Sequence, residues 1–270
     1  MADLTTLARV REWVGITDPS STTDDAVLTR LISAATRTIL AYLGRQMIFK
    51  KTYTRKFSGV GNDTLVIPDF PVQAISSLKI NGVIVPAAAN SIDTGFAFEQ
   101  WDGYCPGQSP LLALRGYNFI TGMMNIELTY TAGYYITDEA HTVPAASTYT
   151  VAVDGPQGKW AADEGVTLAN GTALVKVASA PATGQYSVAS TGVYTFNAAQ
   201  ASAAVLISYS FVPADLENVC IEMVAERYRY KDRIGLSSKS LAGQETISYI
   251  LKDLNDFNRM QLTPYKRVVL

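Results

Sequence analysis

Residues 206–216, LISYSFVPADL, decide the fold, because within them the chain changes from a strand pattern to a helix pattern. The first half alternates apolar and polar side chains, as a strand with one buried face does. Pro213 suits the first turn of a helix, and Asp215 and Glu217 favour its positively charged N-terminal end. Apolar residues then recur at helical spacing until Gly235 ends the pattern. The sequence therefore predicts one long C-terminal helix.

The strand in this stretch is similar in pattern to residues 126–131, IELTYT, and the segment between them has a composition of its own. From Ile136 to Val212 charged residues are sparse, and Ala, Thr, Ser, Val and Gly dominate. Short strand-like runs separated by turn residues are typical of a small all-β module. We therefore predict an inserted all-β domain over residues 136–212, with residues 1–135 and 213–270 folding together as one core.

The first part of the core is predicted to contain two helices followed by strands. Gly15 ends the first helical pattern, and Thr22 and Asp25 have the spacing of a capping box at the start of the second. The period then changes to two, and Asn81-Gly82 between two apolar runs predicts a tight hairpin. The predicted fold class is therefore α+β: a helical core of an N-terminal helix pair and the long C-terminal helix, an antiparallel β-segment, and the inserted domain.

Composition limits the classes of function. The chain has 270 residues, 48% apolar and 17% charged, which is enough to bury a core. Its 22 basic and 24 acidic side chains argue against sequence-independent binding of nucleic acid, which needs clustered cations. Cys105 and Cys220 lie far apart, so we expect no disulfide framework and a reducing cytoplasm. We expect neither a signal peptide nor a membrane span.

The sequence offers little for catalysis. His141 is the only histidine, and we interpret it as a solvated loop residue without ligand-spaced Cys or His neighbours. Residues 155–160, GPQGKW, are interpreted as a turn, because no Ser or Thr follows the lysine. The carboxylate pairs Asp24-Asp25 and Asp163-Glu164 are attributed to helix caps and turns. We therefore predict no catalytic, metal or cofactor site.

Two groups of side chains favour contact with a partner. Residues 227–233, RYRYKDR, alternate basic and aromatic side chains around the predicted helix, and Tyr and Arg are frequent interface anchors. The alternative is a solvated basic end that pairs with Glu226 and Asp232, and both remain open. The loop from Ile92 to Gly107 adds two aromatic side chains. The candidate interface residues are Tyr228, Arg229, Tyr230, Arg233, Trp101 and Tyr104.

The C-terminal end is the second kind of candidate surface. A last helix is predicted from Ile247 to Phe257, and the tail from Leu262 is predicted to be extended because Pro264 disfavours helical backbone before it. Apolar residues at the end of a chain favour an arm that packs on another molecule. We interpret residues 261–270 as a docking arm.

At this point the order of the patterns resembles the head-tail connector, or adaptor, proteins of tailed bacteriophages. Three stretches carry the resemblance. They are residues 7–15 with 24–45, residues 65–82, and residues 128–134, whose pattern continues after the insertion at residues 213–233. The segment between them resembles a β-module found inside phage structural proteins. Together these stretches cover most of the chain outside the insertion.

The resemblance implies a structural virion protein at the head–tail interface, made in the host cytoplasm, and not an enzyme. It implies a homo-oligomeric ring, usually of twelve subunits, docked under the portal protein. Such a ring continues the DNA channel without binding DNA specifically and offers a platform to the next neck or tail-completion protein. No cofactor and no membrane are implied. The portal-binding role is carried onto Tyr265, Lys266, Arg267, Val268, Val269 and Leu270.

Two alternatives remain open. A tail-terminator, tail-tube or decoration subunit is the first, although the long predicted helix weighs against those β-dominated folds. A carbohydrate-binding adhesin is the second, with Trp101, Trp160 and tyrosines as stacking surfaces. An enzyme would depend on the single histidine and is the weakest of the three.

Overall fold

The computed structural model describes residues 3–18, 20–90, 92–99, 111–153, 155, 157–231, 238–241, 245–248 and 254–267. These residues form helices and sheets whose strands are antiparallel except for one parallel pair, so the predicted α+β class is confirmed. The helices are α1 (Leu7–Val14), α2 (Asp25–Leu43), α3 (Ala214–Tyr230) and α4 (Asp256–Leu262). The first eight strands are β1 (Lys51–Gly59), β2 (Thr64–Val66), β3 (Val72–Ile80), β4 (Val83–Val85), β5 (Gly95–Glu99), β6 (Leu111–Arg115), β7 (Gly122–Ala132) and β8 (Tyr135–Thr142). The others are β9 (Thr150–Ala152), β10 (Gly158–Leu168), β11 (Val175–Lys176), β12 (Gln185–Val188), β13 (Val193–Phe196), β14 (Ala204–Pro213), β15 (Ser238–Leu241) and β16 (Glu245–Ser248).

Contacts divide the chain into two compact units. The helical unit comprises Met1–Gly44 and Pro213–Pro264, and the β unit comprises Arg45–Val212 and Tyr265–Leu270. The predicted insertion, residues 136–212, lies within the β unit. Its boundaries as a separate domain stay a prediction.

In the helical unit, α3 packs against α1, α2 and α4. The apolar stripes that the sequence predicts for α2 and α3 are the buried ones, because residues three and four apart share one helix face. The stripe of α2 contains Leu28, Ile32, Ala35, Ile39 and Leu43. The stripe of α3 contains Leu216, Val219, Cys220, Met223 and Val224.

The ends of the first two helices follow the sequence in part. Gly15 and Gly44 adopt left-handed backbone after α1 and α2, as predicted for helix stops. The capping box expected from Asp25 is not made, because its carboxylate accepts two hydrogen bonds of 3.2 Å from Nη1 of Arg11. This ion pair joins the two helices.

By length and composition alone α2 could cross a membrane, with a mean hydropathy of 1.2. From sequence we expected no membrane span. Its buried stripe packs against α3. A core helix passes the same test, and we interpret α2 as one.

The first half of the β unit is built from two sheets. One has the order β1-β7-β3-β4 and the other the order β2-β6-β5, and all neighbouring strands are antiparallel. Both sheets contribute to one buried apolar cluster. Its members include Ile67, Leu78, Phe96, Leu112, Leu114, Phe119, Ile126, Leu128 and Tyr130. The predicted hairpin is confirmed, since Asn81 and Gly82 have φ angles of 51° and 80° between β3 and β4.

Residues 136–212 form a three-stranded sheet, β10-β14-β8, and a four-stranded sheet, β11-β12-β13-β9. Strands β8 and β14 pair along their length, with Tyr135 opposite Ser210. Paired residues in antiparallel strands lie about 4.5–5.5 Å apart. The chain therefore enters and leaves this segment at neighbouring points, which we call the stem.

Several expectations from sequence were wrong. Strand β5 forms inside the predicted loop 92–107, whose residues 100–110 lie outside the described part of the chain. Strand β8 includes the histidine that was expected in a loop. Strand β10 covers the carboxylate pair that was attributed to a turn.

The C-terminal prediction also needs correction. Of the helix expected from Ile247 to Phe257, Ile247 lies in the hairpin β15–β16 and Phe257 in the shorter α4, whereas residues 249–253 lie outside the described part of the chain. Asn255 caps α4 by accepting a hydrogen bond of 2.7 Å from the backbone N–H of Asn258, a role that asparagine favours. The tail expected to be extended continues as a 3-10 turn over Thr263–Tyr265. Pro264 is tolerated there, because the first turn of a helix needs no N–H donor.

Candidate partner-binding surfaces

The C-terminal segment is held on the β unit by an aromatic side chain. Tyr265 is 3% exposed, and its ring centroid lies 5.7 Å from that of Tyr134. Tyr134 in turn meets Phe211 edge-on at 6.0 Å. Aromatic pairs of this kind are worth about 0.5–1.5 kcal/mol beyond their buried area. Tyr265 therefore fixes the described C-terminal segment to the β unit.

A buried carboxylate lies beside this anchor. Asp69 is 7% exposed, and its Oδ2 accepts hydrogen bonds from Nε of Arg55 at 2.5 Å and from the hydroxyl of Tyr130 at 2.6 Å. Nε of Arg267 lies 3.6 Å from Oδ1, which is too far for a hydrogen bond, so this contact is electrostatic. Burial, followed by the hydrogen bond to Asp69, raises the pKa of Tyr130 well above its ordinary value. Tyr130 therefore stays a neutral donor.

Arg45 adds a third cation to this region. It is 8% exposed, its guanidinium lies 3.9 Å from the centroid of the Phe70 ring, and Nη1 donates to the Phe70 carbonyl at 2.5 Å. Burial lowers the pKa of Arg45 from its ordinary value. Within the described residues, Nε and Nη2 of Arg45 are buried without a hydrogen-bond acceptor. We call Arg45, Asp69 and Arg267, with Tyr265, the C-terminal anchor.

Asp69 and Arg45 were not among the residues predicted from sequence, and the role of the tail residues in docking stays a prediction. The available signal was a single carboxylate in the otherwise apolar stretch 67–72, IPDFPV. Of the predicted docking residues, Lys266 is exposed, whereas Val268, Val269 and Leu270 lie outside the described residues.

The C-terminal end of α3 forms contacts inside the helical unit. The Tyr228 hydroxyl donates to Oδ2 of Asp24 at 2.7 Å, and Nζ of Lys231 donates to Oδ1 at 3.1 Å. Nζ of Lys231 also lies 3.9 Å from the centroid of the Tyr228 ring. These contacts join the end of α3 to the start of α2. From sequence we considered that the basic end of the helix pairs with Glu226 and Asp232. In the structure Lys231 pairs with Asp24.

The hydrogen bonds to Asp24 affect its protonation. Those from Tyr228 and Lys231, in that order, lower the pKa of Asp24 below its ordinary value of 3.8. The same group of contacts raises the pKa of Lys231. Asp24 and Lys231 are therefore both charged at neutral pH.

The remaining predicted interface residues have different positions. Arg229 is exposed on α3 and Tyr230 is half-buried. Arg233, Trp101 and Tyr104 lie outside the described residues. Of the predicted group on α3, the structure therefore leaves Arg229 the most accessible.

His141 is not the solvated loop residue expected from sequence. It lies in β8 opposite Val205 of β14, and its Nε2 is 2.5 Å from Oε1 of Glu139. The other oxygen of Glu139 accepts from the Tyr209 hydroxyl at 2.5 Å. His141 and Glu139 are two residues apart in β8 and so share one face of the strand. The hydrogen bond from Tyr209 to Glu139 joins the two stem strands.

A second buried carboxylate organises residues 136–212. The side chain of Asp163 is 4% exposed and accepts hydrogen bonds from the hydroxyls of Tyr186 at 2.9 Å and Tyr194 at 3.1 Å. Nζ of Lys176 lies 3.0 Å from it. Burial first, and Asp163 second, raise the pKa of Tyr186 above its ordinary value. The carboxylate therefore connects β10, β11, β12 and β13.

Trp160 belongs to the same network. Its indole Nε1 donates to the Tyr194 hydroxyl at 3.2 Å, and a Cβ added at Gly192 would meet its side chain at 2.7 Å. Trp160 is therefore a poor stacking surface for the adhesin hypothesis, because its side chain is packed and hydrogen-bonded within the β unit, whereas Trp101 lies outside the described residues. The described residues also contain no group of three His, Cys, Asp or Glu that could hold a metal.

Comparison with known families identifies the chain. A model of the family described as "Head completion protein" matches residues 3–140, which is just over half of the 270 residues. The chain belongs to the head completion protein family. The match includes α1, α2 and both sheets of the first half of the β unit, and it ends before α3.

Other comparisons add less to this assignment. No curated protein matches the chain. Among solved structures, a chain of the "Neck of empty GTA particle computed with C6 symmetry" is similar with 13% identity and a TM-score of 0.40. The similarity covers 99% of this chain and 91% of that one. Values this low do not establish a common fold, so the family assignment rests on the family model.

The family confirms the connector interpretation made from sequence. This head completion protein is a structural protein of the head–tail connection of a phage particle. The anchored C-terminal segment and the end of α3 are its candidate surfaces for partners.

Proposed function

We propose that this head completion protein assembles as a closed ring under the portal protein, continues the DNA channel, and offers a platform to the next neck or tail protein. The observation that carries the proposal is the family match over residues 3–140. Its role is structural, without catalysis or a cofactor. Twelve subunits, the usual number in the connector proteins that the sequence resembles, form the proposed ring.

The anchored tail supports portal docking by the C-terminal segment. Tyr265 and Arg267 hold the chain on the β unit, so residues 268–270 start from a fixed point. A segment whose base is already ordered loses less conformational freedom on binding. Val268, Val269 and Leu270 supply the apolar side chains that such a contact buries.

The distribution of charge supports passage of DNA without specific binding. Five lysines of the described residues each lie within 4 Å of a carboxylate, which reduces the positive potential that attracts phosphates. They are Lys50, Lys56, Lys79, Lys176 and Lys231. The net charge of the chain is −2.

Two truncations test docking separately from folding. Removal of residues 268–270 keeps Tyr265 and Arg267, so we expect an intact fold and a ring that attaches poorly to the portal. Removal of residues 264–270 also takes away the anchor and should lower stability as well. Replacing residues 268–270 by serines is the matched control, because it keeps the length and removes only the apolar side chains.

The readouts are electron microscopy of the particles and the number of copies of the chain in each. We expect a ring between portal and tail, with attachment lost in both the shorter truncation and the serine variant. Normal portal attachment of the shorter truncation would disprove the docking segment. Absence of the protein from the neck would disprove the proposed function as a whole.

A further inference from the structure

One end of the β unit exposes large apolar side chains. Val60 is 72% exposed, Ile84 68%, Ile120 55%, Met123 88% and Met124 57%. We call these five residues the apolar tip.

Hydrogen bonds bring the members of the apolar tip side by side. The backbone N–H of Gly61 donates to the Phe119 carbonyl at 2.8 Å, which places Val60 beside Ile120. The N–H of Met124 donates to Oγ of Ser58 at 3.1 Å. The tip is therefore formed where the ends of β1 and β7 meet.

The β3–β4 turn joins the tip from the other side. The N–H of Asn81 donates to the carbonyl of Asn125 at 2.8 Å, next to Met124. Ile84 and Met124 line one shallow groove there. Ile84 and Met124 therefore lie along one groove, with Lys56, Lys79 and Glu127 between the apolar side chains.

The backbone of the tip is fixed by its close packing. A Cβ on Gly59 would lie 2.0 Å from the Ile120 carbonyl oxygen, so only glycine fits there. Phe119, which precedes Ile120, is fully buried. Met124 has a φ angle of 51°, a conformation that costs a non-glycine residue free energy and persists when its surroundings impose it. The exposed side chains are thus presented by tightly packed backbone at the ends of β1 and β7.

The size of the tip indicates a binding surface. Five large apolar side chains exposed over more than half of their area form a patch on the order of a few hundred Å², the range in which exposed patches mark interaction sites. One side of a standard protein interface covers about 800 Å². The tip alone is therefore smaller than a standard interface. It suits a subunit that also contacts its neighbours through a second surface.

A groove of matching character lies on the helical unit. Leu7, Ala8 and Ile16 line a groove of about 480 Å³ along α1, together with Arg11, Glu12 and Thr17. Trp13, on the same helix, is 57% exposed. We call this the α1 groove.

The charges beside the two surfaces are complementary. In the α1 groove, Asp25 neutralises Arg11, whereas exposed Glu12 forms no ion pair among the described residues. Beside the tip, Lys56 and Lys79 share the single carboxylate of Glu127. The residues that line the groove therefore include one unpaired carboxylate, whereas the residues beside the tip carry an excess positive charge.

We propose that the apolar tip of one copy docks in the α1 groove of the next copy. Two different surfaces of the same chain then form a head-to-tail contact, and contacts of this type close into rings when the rotation between copies is right. The inference rests on the proposed function, which requires a ring, and it names the surfaces that build that ring. A portal or tail protein as the occupant of the tip is an outcome that the test distinguishes.

Thiol cross-linking in assembled particles tests the contact. In a Cys105→Ser background the chain keeps only Cys220, which is buried. The double variant Ala8→Cys, Met124→Cys should give a ladder of multiples of the chain with a short bismaleimide. Each single variant should give none. The matched control, Ala8→Cys with Val175→Cys, uses another apolar residue that is 61% exposed and should also give none.

A second variant measures the contribution of the tip to assembly. Met123→Ser with Met124→Ser removes exposed side chains, so the melting temperature should stay within a few degrees of the original. We expect at least a tenfold loss in the fraction of the chain that assembles into rings, measured by mass photometry or by counting necks. Val175→Ser should leave that fraction unchanged.

The outcomes separate the two proposals. The tip-to-groove contact is overturned if the protein forms a ring in the neck but the double cysteine variant gives no ladder. It is also overturned if Met124→Cys cross-links only to another virion protein. Neither result contradicts the proposed ring. Normal assembly of the double serine variant also overturns it. A neck without this protein overturns both proposals.

Discussion

Replacing Tyr265 by alanine should release the C-terminal segment from the β unit. The side chain is 3% exposed and packs against Tyr134, so the substitution removes an almost completely buried ring. Truncation of a buried aromatic residue to alanine costs about 3–5 kcal/mol. Because the segment can detach without unfolding the sheets, the cost should be expressed mainly as local opening.

The size of the effect follows from that cost. A weakening of about 3 kcal/mol raises the detached fraction roughly 100-fold, since about 1.4 kcal/mol corresponds to a factor of ten. Trypsin cleaves after Lys266 and Arg267, and the latter lies beside Asp69 when the segment is docked. When opening is fast compared with cleavage, the cleavage rate reports the detached fraction. We therefore expect cleavage at these two sites to accelerate by about two orders of magnitude, as followed by intact mass spectrometry.

Two variants serve as controls for this measurement. Tyr265→Phe keeps the ring and should be cleaved at nearly the original rate. Tyr117→Ala removes a tyrosine of the same unit that is 38% exposed, and it should not change cleavage at the tail. If Tyr265→Ala is cleaved no faster than the original protein, the anchor does not hold the segment and the reasoning is refuted.

Three further predictions follow from the charged contacts and from the stem. Because the pKa of Asp24 is lowered in the folded protein, the carboxylate stabilises the fold fully above its ordinary pKa of 3.8, and this stabilisation is lost as pH falls through the lowered pKa. The difference in melting temperature between the original protein and Asp24→Asn should therefore vanish at acidic pH. A difference that stays constant with pH would contradict this prediction. Asp163→Ala leaves two tyrosine hydroxyls without their acceptor, so it should lower the free energy of unfolding by about 2–4 kcal/mol in urea titrations. Lys176→Met removes a half-exposed cation from the same carboxylate and should lower the free energy of unfolding by less than about 1 kcal/mol. Excision of residues 136–212 with a short linker should preserve the helical circular dichroism, because the stem brings the two ends together; loss of that signal would show that the segment is required for folding.

The periodic parts of the fold could be predicted from sequence. Helices α1, α2 and α3 and the β3–β4 hairpin follow from apolar spacing, glycine stops and the Asn81-Gly82 turn, all of which are local signals. Where two local preferences competed, prediction was wrong. The Thr246-Ile247 pair fits a helical stripe as well as a strand, and the structure uses it in β16.

The polar contacts of the candidate surfaces could not be predicted, because their partners are far apart in sequence. Asp69 accepts from residues 14 and 61 positions away, and Tyr228 reaches Asp24 over 204 positions. Composition identifies such residues as charged or aromatic but says nothing about pairing. The same limit explains why Asp163 was assigned to a turn.

A subunit of a ring needs surfaces that its own fold does not use. The end of α3 was predicted as an interface for its tyrosines and arginines, but Tyr228 and Lys231 are bound to Asp24 within the helical unit. Breaking those hydrogen bonds for a partner would cost free energy that the partner must return. The apolar tip makes no such internal use of its side chains, and burying them gains about 25 cal/mol for each Å² removed from water. On this comparison the contact between copies belongs at Met123 and Met124, and Arg229 remains the accessible residue of α3 for a polar contact at the rim.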